Sequence, residues 1–218
     1  MNKPFAVFDM DGTLVDSMVY WQRLGREYLA SRGVTEGVDE VLERIKAMTM
    51  AESSALFIET FGLPGTPETV EAEMNAVMDE HYRSDIPLKP GAAHYLAALK
   101  ARGTKMCVAT ATPEHLARLC LERLGVADLF DFILSCETVA SGKDRPDVFF
   151  EAARRLGSAP AETAAFEDAL FAARTAKDAG FYTVGVYDAS GDGHWNELTA
   201  LADETVRDWS AAAERMKI

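Results

Sequence analysis

The chain has 218 residues, 48% of them hydrophobic, which is enough to bury a sizeable core in two unequal domains. Its 35 acidic and 22 basic residues give a formal charge of −13. This charge argues against binding to a nucleic-acid backbone or to an anionic membrane surface, and it favours a small soluble ligand.

The cysteines and the hydropathy of the chain favour a cytoplasmic location. Cys107, Cys120 and Cys136 form no C-x-x-C pair, and their odd number does not suggest a disulfide framework. No secretory segment opens the chain, and no apolar run approaches the ~18 residues of a membrane span. We therefore expect a cytoplasmic protein, either a monomer or a homodimer.

The first part of the chain begins with a strand and continues with helices. Residues 4–10 are typical of a buried strand in a parallel sheet, and residues 17–31 have a helical spacing that Gly33 ends. Residues 38–82 contain only helical patterns, with a break at 62–67. We predict a small all-helical domain over residues 17–87, inserted after the first strand.

Strands and helices alternate after residue 91. The predicted strands are 105–109, 132–134, 164–166 and 181–186. The predicted helices are one that ends at 102 and those at 113–124, 147–156 and 171–179, and the remainder of the chain is predicted to be mostly helical. This alternation indicates an α/β fold, a Rossmann-like parallel sheet flanked by helices, formed by residues 1–16 and 88–218. Ligands of such sheets bind at the carboxyl ends of the strands, and we expect the helical domain to cap those ends.

Two carboxylates follow the first strand, one residue apart. The side chains of Asp9 and Asp11 are expected to leave the strand on the same face of the sheet, because residues two apart in a strand share a face. Their charges repel by roughly 4 kcal/mol at about 4 Å and an effective dielectric constant near 20, so a hard divalent cation is expected between them. A calcium loop would need a closing Glu about six residues after Gly12, where this chain has none.

The strand at 105–109 leads into a possible anion site. Thr110, Ala111 and Thr112 stand directly before Pro113 at the predicted start of a helix. A hydroxyl, free backbone N–H groups and the positive end of a helix dipole together suit a phosphate. Thr110 is the better candidate ligand, since Thr112 is equally well explained as the helix N-cap, with Pro113 at the first helical position.

Charged residues also follow two later strands. Lys143 lies in a loop between a strand and a helix, where its ammonium could reach a phosphate and the carboxylates. A solvated surface lysine is the competing interpretation, although the flanking Gly142 and the Pro-Asp helix start favour a positioned side chain. Glu167 and Asp168 end the strand at 164–166, and a helix N-cap by Asp168 is the competing interpretation there.

The residues at these strand ends, in their order along the chain, resemble the four motifs of the haloacid dehalogenase superfamily. The motifs are Asp9-x-Asp11-Gly12-Thr13, Thr110, Lys143 and Glu167-Asp168. The resemblance covers essentially the whole chain. It implies that Asp9 attacks phosphorus and forms an aspartyl-phosphate, and that Asp11 protonates the leaving oxygen and then activates water.

The same resemblance implies one Mg²⁺ ion and a set of phosphate ligands. The ion is then held by the Asp9 carboxylate, the Asp11 backbone carbonyl and Asp168, with Glu167 as a direct or water-mediated partner. The groups that hold the transferring phosphoryl oxygens are then Thr110, the Ala111 backbone N–H and Lys143.

An acidic residue at position 11 favours phosphate esters, since dehalogenases and phosphonate-cleaving relatives lack one there. The resemblance therefore implies a Mg²⁺-dependent phosphatase, a phosphoric monoester hydrolase that acts on a small phosphorylated metabolite such as a sugar phosphate. The helical insertion resembles the branch of phosphoglycolate phosphatases and beta-phosphoglucomutases. A phosphosugar mutase is the alternative, but Trp21 and Met50 stand where the mutases carry His and Arg.

Two departures from the motifs leave a third possibility, a catalytically weak protein that binds a phosphorylated metabolite. Related sequences often read Gly-Lys-Pro-x-Pro-Asp and Glu-Asp-Ser, whereas this chain has Asp144 after the Lys and Ala169 after the Asp. Substrate choice is assigned to the helical domain, where Trp21 and Lys46 are candidate contacts. Packing explains such an aromatic residue, and solvation such a lysine, more often than ligand contact does.

Overall fold

The computed structural model describes residues 2–45, 48 and 50–216. The chain divides into two compact units. The larger unit contains the chain up to Met18 and again from Ile86 onward, and the smaller unit is Val19–Asp85. Every strand formed by the described residues belongs to the larger unit, and the smaller unit is helical. The smaller unit is two residues shorter at each end than the predicted domain at 17–87. Its role as a cap stays a prediction.

The strands and helices of the described residues follow one another as in a fold with a helical insertion after the first strand. Their order is β1 (Phe5–Phe8), α1 (Met18–Ser31), α2 (Val38–Ile45), α3 (Met50–Phe61), α4 (Pro67–Ser84), α5 (Ala92–Ala101), β2 (Lys105–Thr110), α6 (Glu114–Arg123), β3 (Phe132–Ser135), α7 (Cys136–Val139), α8 (Asp147–Leu156), β4 (Thr163–Glu167), α9 (Leu170–Asp178), β5 (Tyr182–Val186), α10 (Trp195–Leu201), β6 (Glu204–Val206) and α11 (Trp209–Glu214).

The described strands form one parallel sheet in the order β3-β2-β1-β4-β5-β6, which places β1 between β2 and β4. Phe8, at the end of β1, lies opposite Val108 of β2 and Phe166 of β4. Because the strands are parallel and in this register, their carboxyl ends lie side by side. The predicted α/β fold, a parallel sheet flanked by helices, is confirmed.

Two strands differ from the sequence predictions. The remainder after residue 186 is predicted to be mostly helical, but Glu204–Val206 forms the edge strand β6. With only three residues, two of them polar, β6 is too short to show a strand pattern. β1 ends at Phe8 rather than at residue 10, because the Met10 carbonyl accepts hydrogen bonds from the N–H groups of Leu14 and Val15 and closes a tight loop.

Aromatic packing supports the loop that follows β1. The rings of Phe8 and Phe166 stack with their centroids 4.2 Å apart, and the rings of Tyr95 and Trp209 pack beside them. Trp209 also donates its indole N–H to the backbone carbonyl of Thr13 at 3.0 Å. On the opposite face of the sheet, α8 and α9 pack against the inward side chains of the central strands. The end of β1 is therefore held by packing on both faces.

The smaller unit has its own apolar core, formed by residues that recur at helical spacing. Thr66 caps α4, because its hydroxyl accepts a hydrogen bond from the Thr69 N–H at 3.4 Å, and Pro67 occupies the first helical position. The buried apolar side chains of this unit include Leu24, Tyr28, Leu29, Phe57, Val70, Met74, Met78 and Tyr82.

Cys107, Cys120 and Cys136 are free, buried thiols. The sequence-based expectation is likewise that these cysteines form no disulfide framework. Burial raises the pKa of the Cys120 thiol to about 11, so this side chain stays protonated and packs as an apolar group. Among the residues that the structure describes, no helix is both long enough and apolar enough to span a membrane.

Candidate active site

Asp9 continues the hydrogen-bond ladder one residue beyond β1. Its N–H donates to the Phe166 carbonyl at 2.9 Å, which aligns it with the end of β4. The loop then turns at Gly12, whose φ of +75° suits glycine. A Cβ atom at Gly12 would lie only 2.3 Å from the Asp168 Oδ2 atom. The glycine therefore allows the loop after β1 to approach the residue that follows β4.

Three carboxylates meet at these two strand ends. One oxygen from each of Asp9, Glu167 and Asp168 lies within 4.8 Å of the other two. Carboxylate oxygens in such a group are ligands that a hard divalent cation accepts. The group does not include the Asp11 carboxylate, whose oxygens face hydroxyl groups instead.

Lys143 contacts two of these carboxylates. Its ammonium donates to Asp9 Oδ1 and to Glu167 Oε1, the latter at 2.9 Å, and the lysine side chain is only 6% exposed. The interpretation of Lys143 as a solvated surface lysine is therefore wrong. Burial lowers the pKa of Lys143, but the charges of Asp9 and Glu167 outweigh burial and raise the pKa above its ordinary value. The ammonium stays protonated.

Carboxyl groups outnumber ammonium groups in this cluster by three to one. Burial raises the pKa of Glu167 well above its ordinary value, although the charge of Lys143 opposes that shift. Burial and, after it, the charge of Asp9 raise the pKa of Asp168 to about 8. Without a metal ion, Asp168 therefore favours its protonated form at neutral pH, and a bound divalent cation would stabilise the ionised form of these carboxyl groups. The donor atoms fit a metal ion.

Asp11 is held by hydroxyl groups on both of its carboxylate oxygens. Ser17 donates to Oδ1 at 2.7 Å, and Thr112 donates to Oδ2 at 2.7 Å. The Thr110 hydroxyl is 3.4 Å from the same Oδ2 atom and accepts the Thr112 N–H at 3.0 Å. The side chain of Asp11 is thus tied to its own loop and to the loop after β2.

Thr112 and Asp168 are not the helix caps that the competing interpretations assign to them. α6 begins at Glu114 with Pro113 as its N-cap, and no side chain makes a capping hydrogen bond there. α9 likewise has Ala169 as its N-cap, again without a side-chain bond. Asp168 instead accepts a hydrogen bond from the Thr13 hydroxyl at 3.0 Å.

The two departures from the motifs leave the charged side chains in place. Asp144 folds back over Gly142, where a Cβ atom would lie 2.7 Å from the Asp144 Oδ1 atom. The same loop is closed by a hydrogen bond from the Ser141 hydroxyl to Asp147 at 3.1 Å, and Lys143 stays buried between its carboxylates. At Ala169 the chain lacks only the capping hydroxyl that a serine would bring to α9.

Several residues that hold the site together have no predicted catalytic or ligand-binding role. The hydroxyls of Thr13, Ser17 and Thr112 each donate to a carboxylate. Asp188, two residues beyond β5, pairs with the Lys89 ammonium at 2.7 Å, and its charge contributes to the raised pKa of Asp168. The rule that ligands bind at strand ends could have found Asp188, whereas nothing in the sequence shows where a hydroxyl points.

The candidate substrate contacts of the helical domain belong to the smaller unit. The Trp21 indole N–H is 3.3 Å from the Tyr82 hydroxyl. Lys46 lies outside the described residues. Their role in substrate binding stays a prediction.

Comparisons with known proteins show the family to which the chain belongs. The family model described as haloacid dehalogenase-like hydrolase matches residues 5–180. Beta-phosphoglucomutase of Bacillus subtilis is 31% identical over 83% of this chain and 82% of its own length. Hexitol phosphatase B of Escherichia coli is 30% identical over 76% of this chain and 75% of its own length.

Solved structures show the same fold. A variant of CbbY from Rhodobacter sphaeroides, in complex with xylulose-(1,5)bisphosphate, has a TM-score of 0.74 at 24% identity and covers 95% of both chains. The fold, the family model and the relatives thus confirm the predicted enzyme class. The chain belongs to the haloacid dehalogenase-like hydrolases, and it is a phosphoric monoester hydrolase of that family.

Proposed function

We propose that the chain is a Mg²⁺-dependent phosphatase that hydrolyses a small phosphorylated sugar through an aspartyl-phosphate on Asp9. The observation that carries the proposal is the meeting of the Asp9, Glu167 and Asp168 oxygens within 4.8 Å, beside the buried ammonium of Lys143. Phosphoryl transfer to a carboxylate requires a nucleophile, positive charge around the phosphate and a proton donor. Asp9, Lys143 with the metal, and Asp11 meet these requirements.

The names of the two relatives support a sugar substrate. One relative is a phosphoglucomutase and the other a hexitol phosphatase, and both align with three quarters or more of this chain. The formal charge of −13 repels a phosphorylated substrate at long range, so binding depends on local donors. A small phosphate ester that these donors can surround fits both observations.

Mg²⁺ is the cation we propose for the carboxylate group. Asp9 and Asp168 would hold it together with the Asp11 backbone carbonyl, and Glu167 would be a direct or water-mediated partner in addition to its contact with Lys143. When bound, Mg²⁺ neutralises charge on the phosphoryl oxygens and helps to orient the ester.

The protein groups supply the nucleophile and the proton. An Asp9 carboxylate oxygen forms a bond to phosphorus while the ester P–O bond breaks, and the leaving oxygen takes a proton from Asp11. Asp11 then accepts a proton from the water that attacks the phosphorus, which frees Asp9 and releases inorganic phosphate.

The phosphoryl oxygens need donors that are already in position. Because Lys143 contacts the Asp9 carboxylate, its ammonium is placed to hold a phosphoryl group attached to Asp9. The Thr110 hydroxyl and the Ala111 N–H, at the carboxyl end of β2, are the other donors we propose.

The proposal is tested by phosphate release from a panel of sugar phosphates, with and without Mg²⁺. Asp9→Asn should abolish the metal-dependent release, because a neutral amide cannot form the aspartyl-phosphate. Asp178→Asn, at an exposed position at the far end of α9, is the matched control and should retain full activity.

The intermediate gives a second readout. Acid quenching of the wild-type enzyme during turnover, followed by mass spectrometry, should find phosphate on the peptide that contains Asp9. Full activity of purified Asp9→Asn would contradict the mechanism.

A phosphosugar mutase is the second candidate, favoured by the 31% identity to the Bacillus subtilis beta-phosphoglucomutase. Phosphorus NMR of an incubated sugar 1-phosphate separates the two activities. A mutase yields an isomeric sugar phosphate with little inorganic phosphate, whereas a phosphatase yields inorganic phosphate. Trp21 and Lys46 as substrate contacts, the cytoplasmic location and the monomeric or dimeric state stay predictions.

A further inference from the structure

We propose that Thr112 is a positioning residue for Asp11: its hydroxyl holds the proton-transferring carboxylate against the loop that binds the phosphate. This inference rests on the proposed function, since it assigns Asp11 to proton transfer. It concerns a residue to which the motifs of the family resemblance give no role.

The contacts define one orientation of the Asp11 carboxylate. Thr112 donates to Oδ2 at 2.7 Å and Ser17 donates to Oδ1 at 2.7 Å. Thr112 is 7% exposed and Ser17 is fully buried, so water competes little with either hydrogen bond. With a donor on each oxygen, the carboxylate cannot rotate without losing a buried hydrogen bond.

Other roles for the Thr112 hydroxyl fit the structure less well. It does not cap α6, which begins at Glu114 with Pro113 as its N-cap. Its single proton goes to Asp11 Oδ2 at 2.7 Å, whereas the Thr110 hydroxyl donates to the same oxygen only at 3.4 Å. Thr110 is therefore the hydroxyl more easily released to a phosphate, and Thr112 is the stronger contact of Asp11.

Thr112 also links Asp11 to the proposed phosphate site. Its backbone N–H donates to the Thr110 hydroxyl at 3.0 Å, and Thr110 is a proposed phosphate ligand. One short loop after β2 thus holds both the donor for the phosphoryl oxygen and the group that protonates the leaving oxygen. Residues 110–112 therefore set the distance between the Thr110 hydroxyl and the Asp11 carboxylate.

The consequence concerns the first chemical step. Asp9 forms its bond to phosphorus as the ester P–O bond breaks, and the electron pair of that bond goes to the leaving oxygen, which takes the proton of Asp11. A leaving group that departs as a stable anion, such as p-nitrophenolate, does not need this proton. An alkoxide from a sugar phosphate does, so in this first step the position of Asp11 matters for a sugar phosphate far more than for p-nitrophenyl phosphate.

The test compares Thr112→Val, which keeps the shape but removes the hydroxyl, with Thr112→Ser, which keeps the hydroxyl. For each enzyme, kcat/KM is measured with a sugar phosphate and with p-nitrophenyl phosphate, because kcat/KM reports the steps through departure of the leaving group. We expect Thr112→Val to lose about 10-fold with the sugar phosphate, part of the 10²- to 10⁴-fold effect of general acid catalysis, and at most about 2-fold with p-nitrophenyl phosphate. Thr112→Ser should stay near the wild type with both.

Two controls separate positioning from general damage. Thr104→Val changes a threonine that is also 7% exposed but precedes β2, at the other edge of the sheet, and should leave both values unchanged. In the Asp11→Asn background, Thr112→Val should have no further effect on the sugar phosphate, because the group it positions is already lost. Thermal unfolding shows whether Thr112→Val is folded. If it is not, Thr112→Ala takes its place in the same comparison.

Each outcome decides the inference. Equal losses with both esters, an effect that persists in Asp11→Asn, or no rescue by Thr112→Ser would overturn it. Failure of the proposed function looks different, because Asp9→Asn would then retain turnover whatever the residue at position 112.

Discussion

The two units of this protein differ in the hydrogen-bond partners of their buried hydroxyl groups. In the larger unit, buried hydroxyls near the carboxyl end of β1 donate to carboxylates, as Thr13 does to Asp168 and Ser17 does to Asp11. In the smaller unit, the Ser54 hydroxyl of α3 is fully buried and has no hydrogen-bond partner among the residues that the structure describes.

The difference follows from backbone geometry. In a parallel sheet the carboxyl ends of several strands lie side by side. The loops that follow these strands therefore bring together hydrogen-bonding side chains that are far apart in the sequence. Inside a helix the backbone groups already pair with one another, so a buried side-chain hydroxyl depends on a neighbouring helix for its partner. The strand ends are therefore where this fold can hold charge, and the helical unit holds its ionisable groups nearer to solvent.

The largest effect is expected from a substitution that forces apart the loop after β1 and the residue that follows β4. Gly12→Ala adds a Cβ atom 2.3 Å from Asp168 Oδ2 and must displace that carboxylate from the Asp9 group. We expect kcat to fall by about 100-fold or more, since a displacement of about 1 Å in an active site can have that effect. The measurement is kcat for a sugar phosphate at saturating Mg²⁺.

Gly103→Ala is the matched control for Gly12→Ala. Both glycines have positive φ, +79° for Gly103, but no atom lies within 4 Å of the Cβ position at Gly103. The control should lose about 1–2 kcal/mol of stability from backbone strain and keep its kcat. Equal kcat values for the two variants would show that the approach of the Gly12 loop to Asp168 does not matter.

A smaller effect is expected at the unpartnered hydroxyl of the helical unit. Ser54→Ala removes a buried group without a hydrogen bond, and an unsatisfied group of this kind costs about 1–3 kcal/mol. Ser53→Ala, at the neighbouring position in α3, controls for the higher helix propensity of alanine, worth about 0.5 kcal/mol. We expect urea unfolding to show a gain for Ser54→Ala that exceeds the control by about 1 kcal/mol. A gain no larger than that of Ser53→Ala would refute the assignment.

The smallest effect is pH-dependent and belongs to the smaller unit. The imidazole of His81 lies 3.1 Å from Glu27 and 2.9 Å from Asp85. Burial lowers the pKa of His81, but the hydrogen bonds to the two carboxylates outweigh burial and raise it above the ordinary value. Tyr20 completes the cluster, with its ring centroid 4.7 Å from that of His81 and its hydroxyl 3.2 Å from the Asp85 carbonyl.

A raised pKa in the folded state stabilises the protein at low pH. The contribution of His81 is complete below its unfolded pKa of about 6.5 and is lost as the pH rises through the raised folded value. Since the side chains of Glu27 and Asp85 are 48% and 52% exposed, the contribution stays below about 1 kcal/mol and falls with added salt. Because burial raises the pKa of Asp168 to about 8, both the wild type and His81→Gln lose stability as the pH rises, and the difference between them reports His81. Urea unfolding between about pH 5.5 and pH 9 should show the stability advantage of the wild type over His81→Gln shrinking as the pH rises. His94→Gln, in α5, should lose stability as the wild type does.

Much of the fold followed from local patterns. Apolar runs bounded by glycine or polar residues predict β1 to β5, and helical spacing predicts the longer helices between them but not the four-residue helix α7. β6 escaped prediction because its three residues, Glu204–Val206, acquire strand geometry only by pairing with β5. Propensity over so few residues is too weak to decide between a strand and a loop.

The candidate site divides in the same way. Asp9, Lys143 and Asp168 could be singled out because the residues after parallel strands share one edge of the sheet, wherever they lie in the chain. The burial of Lys143 between Asp9 and Glu167 could not, because a lysine in a loop is solvated unless the surrounding loops exclude water from it. The hydroxyl partners of Asp11 depend on rotamers that only packing selects.

The sequence by itself determined the parallel sheet, the helical insertion after its first strand and the family to which the chain belongs, because hydrophobic period and motif order are local or linear properties. Tertiary structure alone decided which oxygen faces which donor. The Thr112 hydroxyl meets Asp11 across 101 residues of sequence. Such contacts form between strand ends whose register is set by the whole sheet, and no stretch of sequence encodes them separately.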